Sequence, residues 1–175
     1  MNGDDIVKWL GFGIDHEDFK KEMQQLSLKL QGTDSEYYNT HFNFKKKHGL
    51  RFELFRLAHF KSIAEQQPAF ASDWIFVDVE FTREGYDLSQ KITFAGTPPY
   101  GLQMDFTASE CIAVLGQPIV DDYYEAPGFY YKVLAWTKGN HHIGIAFENA
   151  TEEARINCLG VSLAGTGVGW GVDWE

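Results

Sequence analysis

A chain of 175 residues with 44% hydrophobic and 15% aromatic side chains (14 Phe, 8 Tyr, 5 Trp) carries enough apolar surface for a sizeable core, which excludes disorder and any need of a cofactor to fold. The formal net charge is -10, split as 15 acids against 11 bases over residues 1–88 and 10 against 4 over 89–175; such a field repels nucleic acid and anionic membrane surfaces and steers in a basic protein. Two cysteines without metal-ligand or CxxC spacing, an acidic start and the lack of any 18-residue apolar run predict a cytoplasmic protein with buried, reduced thiols.

In chain order, Asp4 or Asp5 caps a short helix through Ile6, Val7, Trp9 and Leu10 that ends at Gly11 and Gly13. Asp15 caps a second, in which Phe19, Met23, Leu26 and Leu30 share one face up to Gly32. From Tyr38 the period changes to two, with Tyr38, Thr40, Phe42 and Phe44 on one side of a strand. Lys45 to Gly49 turns the chain into a second strand with Leu50, Phe52 and Leu54 inward. Residues Leu57 to Gln67 read equally as strand or short helix, and Ile75, Val77, Val79 and Phe81 mark a clear third strand. Lys91 to Ala95 reads as a short fourth.

Pro98 to Pro118 is a turn, a capped helix and a stop. Thr107 and Glu110 have capping-box spacing, Phe106 and Cys111 the spacing of a hydrophobic staple, and Gly116 with Pro118 ends the helix. Asp121, Asp122, Tyr123, Tyr124 and Glu125 read as an exposed loop. Two strands, Phe129 to Trp136 and His141 to Glu148, form a hairpin over Lys138, Gly139 and Asn140. A last strand covers Ile156 to Leu163 with Gly160 at a bulge position, and a Gly/Trp tail occupies 166–175.

These elements predict an α+β fold: a mainly antiparallel sheet of about seven strands with a few short helices, in one compact domain over 1–175. IVKWLG at 6–11 and CIAVLG at 111–116 are offset by 105, and the hairpins that follow them by 93. The pattern suggests two helix-plus-three-strand pseudo-repeats, 1–96 and 97–165, although short apolar words also coincide by chance.

Catalytic signatures are missing. The histidines at 16, 41, 48, 59, 141 and 142 form no HExxH, Ser109 lies in no GxSxG, and the glycines at 165, 167, 169 and 171 precede no helix. No metal, cofactor or catalytic residue is expected. The acids interleaved with Tyr123 and Tyr124 have the composition of a protein-binding surface: carboxylates steer and pair with Lys or Arg, and tyrosine supplies contact area at low entropic cost. Trp170, Asp173 and Trp174 of the tail are candidates for the same partner contact, or else close the sheet as an edge strand.

The PYGL loop at 99–102, the capped helix TASECIAVLGQP at 107–118 and the hairpin bearing Tyr131, Trp136 and Phe147 resemble immunity proteins of bacterial polymorphic and contact-dependent growth inhibition toxin systems. The likeness covers roughly 97–164, with weaker support over 36–82, and similar units occur in outer-membrane assembly lipoproteins and a tandem-repeat β-lactamase inhibitor. It implies stoichiometric neutralisation of one cognate toxin, often a nuclease and hence basic, with no binding motif carried over residue by residue. The expected partner is therefore a basic toxin domain, with no direct nucleic acid, no membrane, and a monomer favoured. The alternative is an enzyme or small-ligand carrier with an aromatic-lined pocket.

Overall fold

The computed structural model describes residues 1–30, 37–64, 66–85, 92–126 and 129–167. Chain order gives α1 (Gly3–Val7), α2 (Glu17–Gln25), β1 (Asn39–Asn43), α3 (Lys45–His48), β2 (Leu50–Arg56), α4 (Leu57–Ile63) and β3 (Trp74–Thr82). A 3-10 turn at Pro99–Gly101 follows, then α5 (Ala108–Leu115), β4 (Val120–Ala126), β5 (Phe129–Lys138), β6 (His141–Phe147) and β7 (Ile156–Leu163). The seven strands form one sheet in the order β1-β2-β3-β7-β6-β5-β4, every neighbouring pair antiparallel. The α+β antiparallel architecture is thus as expected.

The strand count agrees, but its membership differs in one place. Residues 92–95 form no strand: β3 is already paired on both edges, by β2 and β7, and this segment is tied to the end of β3 by the Phe94 N–H to the Thr82 carbonyl (2.9 Å) and by Thr93 Oγ1, which accepts from the Glu84 N–H (3.2 Å). Asp121 to Glu125, read as a loop, instead lie within strand β4 at the far edge. The second half of the sheet therefore holds four strands after its helix rather than three.

Alternation along the strands sorts the two faces. Phe52, Val79, Val161, Ile143 and Trp136 lie in one row across β2, β3, β7, β6 and β5, and this row belongs to the buried core. Helix α2 lies over it, with Phe19 stacked on Phe76 at 5.6 Å; α5 lies over the other half, its end tied by Trp136 Nε1 to the Gly116 carbonyl. The next row, on the opposite face, runs Asn43, Arg51, Glu80, Gly160, Gly144, Ala135 and Val120, small in the centre and charged over β2 and β3. Glu80 is held there by Arg51 (2.6 Å) and Lys45 (3.5 Å).

Local corrections follow from caps and turns. Asn2, not Asp4 or Asp5, caps α1, its side chain accepting from the Asp4 N–H. Helix α2 stops at Gln25 because Ser27 takes a left-handed conformation (φ 59°), which turns Leu28 into the core. Leu57 to Ile63 is helical. The sheet's register shifts fall at Glu53/Leu54 and Ala146/Phe147, not at Gly160, which pairs regularly with Glu80 and Gly144. Among the described residues no helix is long and apolar enough to cross a membrane.

Candidate functional site: the acidic edge strand

Strand β4 (VDDYYEA) hardly reads as one, because aspartate and glutamate are depleted in strands. Its pairing with β5 supplies what the composition lacks. Tyr124 faces Tyr131 and their rings meet at 5.2 Å; Tyr123 faces Lys132, and its ring stacks on Tyr130 at 5.6 Å. Asp121 accepts from Lys132 Nζ at 2.6 Å, and the same ammonium lies 5.1 Å from the centre of the Tyr123 ring. Partial burial works against the Lys132 charge, but the hydrogen bond and charge of Asp121 outweigh it and hold the ammonium above its ordinary value.

The structure thus separates the five predicted residues of this segment by role. Asp121 is neutralised within the sheet. Asp122 and Glu125 have no cationic partner among the described residues, and both are exposed. Tyr123, Tyr124 and Tyr130 are each about half exposed (47–55%), with Ile119 and Val114 nearby in sequence similarly open. The segment is thus an edge strand rather than a loop, with half-exposed rings beside two carboxylates that have no cationic partner among the described residues. Trp170, Asp173 and Trp174, the other predicted contact residues, lie outside the described residues.

Beside β4 on the helix side, a groove of about 370 Å³ runs along α5, lined by Ala108, Ser109, Ile112, Tyr123, Lys132 and Thr151 among others. Helix α5 is a fixed wall. Thr107 Oγ1 accepts from the Glu110 N–H (3.4 Å), and the Glu110 carboxylate accepts from the Thr107 N–H (2.7 Å). The bond from the Thr107 backbone is the main cause of the lowered Glu110 pKa. Ser109 Oγ lies 3.1 Å from Thr107 Oγ1, part of the same cap. Burial in the core pushes the Cys111 thiol up to about 12, which leaves it protonated and unreactive at neutral pH.

Lys132, Tyr130 and the groove escape a reading of the sequence, although a signal was present. DDYYE before Ala126-Pro127-Gly128 and FYYK after it place tyrosine pairs and opposite charges symmetrically about turn residues, as cross-strand partners require.

Elsewhere, Tyr100 holds a left-handed backbone (φ 62°), pinned by its N–H to Asp4 Oδ1 (3.0 Å) and its hydroxyl to His141 Nδ1 (2.6 Å). Burial raises the Tyr100 hydroxyl to about 12 and lowers the His141 pKa, so this pair fastens the 3-10 turn to β6 in its neutral form. Two further cavities, about 280 Å³ beside α2 and about 460 Å³ along residues 94–105, have no histidine or cysteine among the described residues that line them. No group of three ligating side chains suited to a metal occurs among the described residues. No protein-family model, no curated protein and no solved structure matches this chain.

Proposed function

We propose that this protein is a cytoplasmic immunity protein, which binds and neutralises a toxin domain of basic surface by stoichiometric protein–protein contact at the β4–β5 corner. The observation that carries the reading is the position of Asp122, Tyr123, Tyr124 and Glu125: carboxylates without a cationic partner among the described residues and half-exposed rings lie along the free edge of the sheet. The net charge of -10 accelerates encounter with a basic partner, while the tyrosines and the α5 groove supply the short-range contact that slows release. The likeness of residues 97–164 to toxin immunity proteins points the same way. A nuclease domain that grips phosphates presents the complementary charge.

The test is to look for a toxin domain encoded beside this gene and co-purify it with this protein, followed by charge reversal of Asp122 and Glu125 to lysine. Reversal is expected to slow association by about tenfold or more at low salt and to flatten its salt dependence. A neighbouring toxin that does not bind, or an association rate unmoved by the reversals, overturns the assignment.

A further inference from the structure

Strand β4 spans seven residues, contains no proline and forms one edge of the sheet. Natural edges of this length are usually shortened, bulged or covered, because their unpaired N–H and C=O groups recruit another strand. This edge has a different device. The Tyr123 N–H donates to the carboxylate of its own neighbour, Asp122, at 2.7 Å. That N–H faces away from β5: opposite Tyr123 stands Lys132, whose N–H points across to the Asn149 carbonyl at 3.4 Å. Since amides alternate in direction along an antiparallel strand, the Asp121 and Glu125 N–H groups face the free edge as well.

Building on the binding reading above, we propose that the toxin contact includes an extended, Lys- or Arg-bearing segment that adds to β4 as an eighth strand, and that Asp122 is the exchangeable cap of that edge. In the uncomplexed protein the Asp122 carboxylate occupies the Tyr123 N–H and places negative charge along the edge, so a second copy of this strand is repelled. An incoming carbonyl displaces it from the amide, and the released carboxylate then pairs with a cation on the arriving strand. The exchange leaves no buried donor unpaired, and it selects basic segments over acidic or neutral ones.

The test uses the full chain and a synthetic peptide of about ten residues alternating lysine with valine, together with the same peptide N-methylated at alternate backbone amides. Amide hydrogen exchange is read by NMR at low salt, and binding by fluorescence anisotropy. The plain peptide is expected to slow exchange at Asp121, Tyr123 and Glu125 by about tenfold, and the methylated peptide is expected not to. In the free protein Asp122→Ala should speed exchange of the Tyr123 amide, while Asp122→Asn, which keeps the acceptor, should not. Both variants should bind the plain peptide more weakly. If the peptide binds with these three amides unchanged, strand addition is wrong and the acidic surface stands. If it does not bind at all, strand addition and the acidic contact surface both fall.

Discussion

Trp136 Nε1 donates to the Gly116 carbonyl across 2.8 Å, so the indole on β5 satisfies a carbonyl at the very end of α5. Gly116 itself, at φ 84°, turns the chain out of the helix immediately beyond that bond. One side chain therefore sets how far α5 stands from the sheet, and with it one wall of the groove beside β4. Trp136→Phe keeps most of the packing and removes the donor; urea denaturation should show a loss of about 1 kcal/mol. Trp136→Ala empties a fully packed site and should cost about 3–5 kcal/mol.

The capping box makes a second prediction. Thr107→Ala deletes the acceptor for the Glu110 N–H and is expected to cost about 1 kcal/mol, measured as a shift in urea midpoint with unchanged slope. The lowered pKa of Glu110 adds a pH signature. Because the folded value lies below the unfolded one, the contribution is full above the unfolded carboxylate range and fades as pH falls through the folded value. Glu110→Gln should flatten the stability profile in that acidic window and lower stability by a constant amount at every pH above it.

Asp78 behaves in the opposite sense. It lies between Glu53 on β2 and Ser162 on β7 and is 4% exposed. Desolvation, then the charges of Glu80 and Glu53, raise its pKa well above the ordinary value, against a smaller opposing pull from Arg51. With the folded value above the unfolded one, its contribution is full below the unfolded aspartate range, about pH 3.9, and is lost as pH rises through the folded value. Asp78→Asn should therefore raise stability at neutral pH and flatten the stability profile upward from the unfolded aspartate range. A variant that is less stable at every pH would show that the carboxyl group makes a contact essential to the fold whatever its protonation state.

The elements most legible in the sequence were those whose local chemistry suffices. Thr107, Glu110 and Gly116 specify both ends of α5 without help from the remainder of the chain, and the alternation from Leu50 to Leu54 and from Ile75 to Phe81 specifies two strands. What failed depended on neighbours. Residues 92–95 have strand-like composition but β3 has no edge left to offer, and Val120 to Ala126 has poor composition but finds Lys132 and two tyrosines across from it. The acids and tyrosines of the candidate site were visible as a contact composition; that they sit on a sheet edge, with Asp121 neutralised and Asp122 on a backbone amide, is tertiary information. The same holds for Asp78, whose burial follows from β7 closing beside β3.

That closure orders events during synthesis. The last strand among the described residues lies at the centre of the sheet, between β3 and β6, so neither half can complete its hydrogen bonding until residues 156–163 have left the ribosome. Until then two largely apolar strands each present a bare edge, and the nascent chain is at its most prone to aggregate. A frameshift or nonsense change before Ile156 would remove the strand that joins the halves, and soluble yield should fall sharply even though β1 to β6 remain encoded.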